Sequence, residues 1–146
     1  MPGGAIAVAS DHAGFDLKEI LKRDLQQAGH EVLDLGTNSA QSVDYPDFGT
    51  ALADAIAAGK ASRGVLVCGT GIGISIAANR NPKVRAALVH DVTSARLSRE
   101  HNDANVVAFG QRLIGQETAR EALKAFLATE FEGGRHVGRV AKLSKG

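Results

Sequence analysis

Tryptophan is absent from the chain, and cysteine, methionine and tyrosine each occur once. A single cysteine cannot form an internal disulfide, so Cys68 is either a small buried hydrophobe or a reactive thiol. Charge of one sign is missing too: 17 Lys and Arg stand against 16 Asp and Glu, a balance that does not suggest nucleic acid and fits an ordinary soluble globular protein. No apolar run is long enough to span a bilayer. The opening MPGGAIAVASDHAG lacks the charged start, apolar run and cleavage site of a secretory signal, so the expected location is the cytoplasm. The five histidines do not pair with carboxylates or with Cys68 at a standard ligand spacing, and no metal or cofactor is expected. There is no Gly-x-Ser-x-Gly elbow for a serine hydrolase.

What is present is a chain of 146 residues that fits one domain spanning 1–146, 44% hydrophobic and rich in glycine, with 17. Ala5 to Ala9 is apolar on both faces and is followed by the cap-like Ser10-Asp11 and by Phe15, Leu17, Ile20, Leu21 and Leu25 at helical spacing. Gly29 ends that helix, and Glu31 to Leu35 alternates as a second strand. A polar loop runs from Thr37 to about Pro46, a helix from Asp47 to Ala58 closed by Gly59, and a buried-type strand from Gly64 to Cys68. After the glycine-rich turn 69–73 comes a helix at 74–79, then a strand at 84–89 and a helix around 93–100. A strand at 105–109, a helix at about 116–130 and a basic tail complete the chain. Strands alternating with helices imply parallel βαβ units, hence an α/β fold: a three-layer sandwich around a mostly parallel sheet of about five strands.

Ligands in such folds bind beyond the carboxyl ends of the strands. There the chain places Ser10-Asp11-His12, Cys68 with Gly69-Thr70-Gly71-Ile72-Gly73, and His90-Asp91. The glycine loop opens a helix whose first N–H groups lack internal partners, which makes a cradle for an oxyanion or phosphate. Its spacing is neither a dinucleotide fingerprint nor a Walker A loop, and the glycines by themselves are equally read as a tight turn. Cys68 directly precedes the loop, where the helix N-terminus favours the thiolate, so it is a candidate general base; the alternative is an inert core filler. Asp11 or His12 can hold a sugar hydroxyl or ring oxygen; the alternative for Asp11 is a helix cap, and both roles coexist because a cap uses one carboxylate oxygen and leaves the other available. His101 suits proton transfer on a hydroxyl, or serves as a charge at a helix C-terminus. Arg112, Arg135 and Arg139 suit a phosphate dianion, or form a solvated basic end.

Five separated motifs carry a resemblance: Ser-Asp-His-Ala-Gly at 10–14, Asp-Tyr-Pro at 44–46, Cys68 to Asn79, His-Asn-Asp-Ala-Asn at 101–105, and Glu-Gly-Gly-Arg-His at 132–136. Together they resemble the ribose-5-phosphate isomerase B family, which includes galactose-6-phosphate isomerase subunits and allose-6-phosphate isomerases. The match runs from about Ile6 to Val140. The resemblance implies a Rossmann-like α/β/α sandwich and a homodimer or dimer of dimers with active sites built between subunits. It implies that Cys68 is the proton-abstracting base, in the version of the family that uses cysteine and not a glutamate on the following helix. It implies ring opening by Thr70 and by His101 reaching across the dimer interface. Sugar contacts would come from Asp11, His12, Tyr45 and Asn102, an anion hole from the backbone of Gly69, Thr70, Gly71, Ile72 and Gly73, and phosphate ligands from Arg112, Arg135 and Arg139.

Moving a carbonyl from C1 to C2 requires a base for the C2 proton and donors for the enediolate, which the two readings supply from the same residues. Rival expectations are a nucleotide-binding module that tolerates loss of Cys68 and a redox sensor built on the lone thiol. Neither accounts for Asp11, His12, His101 and the three arginines together. Within the isomerase class the alternative substrate is a six-carbon aldose phosphate.

Overall fold

Ile6-Ala7-Val8-Ala9 is apolar at every position because both faces of its strand are covered, and the period-two alternation decides which side chain goes where. The computed structural model describes residues 4–145. Five strands, β1 (Ile6–Ser10), β2 (Val32–Asp34), β3 (Arg63–Cys68), β4 (Ala86–Leu88) and β5 (Val106–Gly110), form one sheet in the order β2-β1-β3-β5-β4. Every adjacent pair is parallel. Six helices connect and flank them: α1 (Phe15–Gln27), α2 (Tyr45–Ala57), α3 (Ile72–Asn79), α4 (Val92–Asn102), α5 (Gln116–Ala128) and α6 (His136–Leu143).

Ile6, Val8, Val65, Val67, Val107 and Phe109 point to one face and pack on Leu17, Leu21 and Leu25 of α1, Ala95 of α4 and Phe126 of α5. Ala7, Ala9, Leu66, Cys68 and Ala108 point to the other and pack on Leu52 of α2 and Ile74 of α3. This is the three-layer α/β/α sandwich, Rossmann-like, that the strand and helix alternation implied. Phe109 and Phe126 are wholly buried, and each side chain of this kind contributes about 1.5–3 kcal/mol through burial. The second face is lined with alanines, so α2 and α3 lie close to the sheet and bring the start of α3 down onto the end of β3.

Three differences from the sequence reading have local causes. Helix α2 begins at Tyr45, two residues before the expected Asp47, because Pro46 falls in its first turn, where a missing N–H removes no helical bond. Helix α3 begins at Ile72, inside the glycine loop, because Gly71 in the left-handed region serves as its N-cap, and Ile72 N–H donates to the Thr70 hydroxyl at 3.1 Å. The basic tail is not a tail: it folds as α6, anchored where the Ser144 hydroxyl lies 3.2 Å from Arg85 Nη1 at the start of β4.

Candidate active site

The strand order reverses between β1 and β3, since the chain steps outward from β1 to β2 on one side and places β3, β5 and β4 on the other. At such a switch point the connections leave in opposite directions and open a crevice beyond the carboxyl ends. Here it is a cleft of about 520 Å³ lined by Asp11, His12, Tyr45, Cys68, Gly69, Thr70, Ile72, Gly73 and Arg112, together with Ala13 and Ile76.

Cys68 ends β3 with only 4% of its surface exposed, so a molecule reaches the sulfur only from the cleft. Its Sγ accepts a hydrogen bond from Gly71 N–H at 3.1 Å. Gly71 caps α3 in the left-handed region at φ 78°, and a Cβ there would meet Leu88 Cδ1 at 2.6 Å and the Phe109 carbonyl carbon at 2.8 Å. Only glycine fits both the torsion and the space, and that fit aims the N–H at the sulfur. Ser75 N–H is the first of α3 to bond back, to Gly71 O at 3.3 Å, which leaves the Gly73 and Ile74 N–H groups with no acceptor in the helix. The Tyr45 ring lies directly on Gly73, where a Cβ would collide with Cε1, so the missing side chain is what lets the ring close over the loop.

Asp11 caps the turn His12–Gly14 through Oδ1, which accepts from Gly14 N–H at 3.1 Å, so the carboxylate is held by one oxygen. His12 Nδ1 accepts from Val43 N–H at 3.1 Å, which fixes the neutral tautomer with its proton on Nε2. Val43 is thus a site residue that sequence reasoning missed, and a backbone donor in a polar loop gives no sequence signal. Arg112 is exposed, and its main-chain N–H bonds to Gly69 O at 3.0 Å, which keeps the guanidinium over the glycine loop.

The rim beside β1 is held by a buried charge. Lys18 is wholly buried, and its ammonium donates to Asp34 Oδ1 and to Thr37 O, both at 2.8 Å. Thr37 N–H in turn donates to Ser10 O at 2.8 Å. Burial alone would raise the Asp34 carboxyl, but hydrogen bonds from Lys18, Lys22 and Gly36 N–H outweigh it and hold the group below its ordinary value.

The remaining expected residues are elsewhere. Helix α4 starts at the carboxyl end of β4 and runs back, so His101 and Asn102 in its last turn lie at the amino end of the sheet, just before β5. Eleven helical residues cover about 16 Å, and five strand residues the same. Arg135 and Arg139 are exposed at the start of α6, at that same end. There Arg99 Nε donates to Thr129 O at 3.0 Å and Glu132 N–H to Glu100 O at 3.1 Å, which folds the segment after α5 onto the end of α4. His136 stacks on His101 with ring centroids 4.6 Å apart. Asn102 lines a different hollow, of about 400 Å³, with Asn79, Arg85 and Leu143. The structure therefore brings together Asp11, His12, Tyr45, Cys68, Thr70, the glycine loop and Arg112, and it leaves His101, Asn102, Arg135 and Arg139 as a second group.

A profile of the Ribose/Galactose Isomerase family matches residues 6–143. Ribose-5-phosphate isomerase B of Escherichia coli K12 is 46% identical over 139 residues, covering 95% of this chain and 93% of that protein. D-erythrulose-4-phosphate isomerase of Pectobacterium atrosepticum is 44% identical over 140 residues, 95% of this chain and 92% of that one. The solved structure of ribose-5-phosphate isomerase B from Clostridium thermocellum is similar with a TM-score of 0.95 and 48% identity, over 96% of this chain and 95% of that chain.

Proposed function

The chain belongs to the Ribose/Galactose Isomerase family, and from that premise we propose that it interconverts ribose 5-phosphate and ribulose 5-phosphate through an enediolate, with Cys68 as the base. The observation that carries this reading is the Gly71 N–H bond to Cys68 Sγ inside the cleft that also holds Asp11, His12, Tyr45 and Arg112. A hydrogen bond to a charged acceptor is about twice as strong as one to a neutral acceptor, so the thiolate gains from the geometry.

The sugar ring opens when the anomeric hydroxyl gives up its proton and the ring oxygen receives one, which are the roles of His101 and Thr70. The Cys68 thiolate then takes the C2 proton of the open aldehyde. The C2–H electron pair becomes the C1–C2 double bond, and negative charge collects on O1. The free N–H groups of the glycine loop meet that charge, and donors of this kind are worth about 10²–10³ in rate each. A proton passes from O2 to O1, the Cys68 thiol returns its proton to C1, and the carbonyl stands at C2. The proton moves within one substrate, so the step itself requires neither hydride carrier nor Lewis acid. Asp11, His12, Tyr45 and Asn102 hold the hydroxyls. Arg112, Arg135 and Arg139 take the phosphate, whose binding energy aligns the reacting carbon.

These roles place His101, Asn102, Arg135 and Arg139 in the cleft of a second copy, giving a homodimer, or a dimer of dimers, with shared sites. Uncovered apolar side chains support an interface: Ile72 and Ile76 beside the cleft are 47% and 60% exposed, and Val137 and Leu143 of α6 are 55% and 57% exposed. The reaction belongs to the pentose phosphate pathway, and the cytoplasm is its proposed place. The reading is tested by turnover of ribose 5-phosphate in the presence of a chelator, with allose 6-phosphate and erythrulose 4-phosphate in parallel. The pentose should turn over fastest; preference for either other sugar would change the substrate, and no turnover of any would remove the isomerase reading.

A further inference from the structure

Spacing along the chain gave no metal ligands, but the fold assembles three. His101 comes from the last turn of α4, Glu132 from the segment after α5, and His136 from the start of α6, and one ligand atom of each lies within 4.8 Å of the others. His136 is 5% exposed, and its Nε2 is buried with no hydrogen-bond partner among the described residues. That nitrogen lies 3.3 Å from Glu132 Oε1 but makes no hydrogen bond to it. An unpaired buried nitrogen costs free energy, and a cation between it and the carboxylate removes that cost.

We propose that His101, Glu132 and His136 bind one divalent transition-metal ion of the zinc class, and that the ion withdraws His101 from proton transfer. The ligand chemistry fits: two imidazoles and a carboxylate are a three-ligand zinc set with one position left for water. Zinc bonds of about 2.0–2.1 Å at tetrahedral angles separate two ligand atoms by about 3.3 Å, which is the present distance from His136 Nε2 to Glu132 Oε1. His101 is half-buried on a helix end and keeps a ring nitrogen within 4.8 Å of the other two ligand atoms. Glu100 O, accepting from Glu132 N–H, already fixes the carboxylate-bearing residue against α4. The metal site stands on this geometry alone, whereas the loss of activity rests on the role proposed for His101.

The test is calorimetric titration of zinc chloride into chelator-treated full-length protein, beside Glu132→Gln, His136→Gln and Cys68→Ser. One zinc per chain is expected in the wild type and in Cys68→Ser, with affinity at least about tenfold weaker in the other two. Glu132 is exposed, so its variant keeps the test valid if the buried His136 substitution fails to fold. Zinc should also slow turnover reversibly on chelation, with at least about tenfold more zinc needed for Glu132→Gln. No binding by the wild type, binding unchanged in Glu132→Gln, or binding lost in Cys68→Ser overturns the proposal. Turnover in chelator alone reads the isomerase reading separately, because zinc stoichiometry does not depend on it.

Discussion

The two ends of the sheet are built differently. At the carboxyl end backbone donors position the cleft: Gly71 N–H points at Cys68, Ile72 N–H donates to the Thr70 hydroxyl, and Val43 N–H donates to His12. At the amino end the second group is made of side chains on helix ends, with Arg135 and Arg139 exposed and His101 held by a ring stack. The proposed function uses the first end, preorganised by these contacts, for charge on a small substrate. The second end presents the exposed guanidinium groups of Arg135 and Arg139, which the proposed function sends into the cleft of another copy. A parallel sheet enforces this separation, because each helix that leaves a carboxyl end finishes at an amino end.

Experiments can break that contrast. The largest effect should be from Cys68→Ala, with kcat lowered by about 10²–10⁴ and binding of the phosphate sugar nearly unchanged; retained turnover would remove the base from the carboxyl-end cleft. Gly71→Ala should come next, costing about 1–3 kcal/mol of stability in chemical denaturation, since the left-handed torsion and the contacts with Leu88 and Phe109 both oppose a Cβ. An equal cost at Gly133, also at positive φ but with nothing near its Cβ position, would show that torsion alone decides and that the packed loop is no special device.

The smallest effect is the pH dependence of the rim. Asp34 is depressed in the folded state, so its contribution is fully present above the unfolded carboxyl value of about 3.9 and is lost as pH falls through the lower folded value. Stability should therefore fall below about pH 4, as the buried Lys18 ammonium loses the charge of Asp34. Denaturation midpoints for Asp34→Asn should flatten this limb, and an unchanged limb would assign acid sensitivity to other carboxylates.

Legibility in the sequence follows the same division. β1, β3 and β5 are visible because residues buried on both faces are apolar without interruption, β2 because Glu31 to Leu35 alternates, and the helix ends because Gly29 and Gly59 stop them. Cys68, the glycine loop and Asp11-His12 could be placed together because they are all strand ends, and topology alone sends strand ends to one side. Helix α6 was hidden because Val137, Val140 and Leu143 are few, spread among Arg139 and Lys142, and uncovered within one chain. The His101–His136 stack is hidden because two segments distant in sequence meet there, and no spacing rule reports a meeting of that kind. The early start of α2 is the reverse case: a polar stretch running to Pro46 looks like a loop, yet the first turn of a helix accepts proline.

Whether the two ends meet between two copies of the chain is measured by mixing Cys68→Ala with His101→Ala, unfolding and refolding them together, and assaying ribose 5-phosphate turnover. Each variant alone should be nearly inactive. In a symmetric dimer half of the refolded pairs are mixed, and each mixed pair holds one site with both residues intact, so the mixture should recover roughly one quarter of the wild-type rate. A mixture no more active than its components would contradict a site shared between copies.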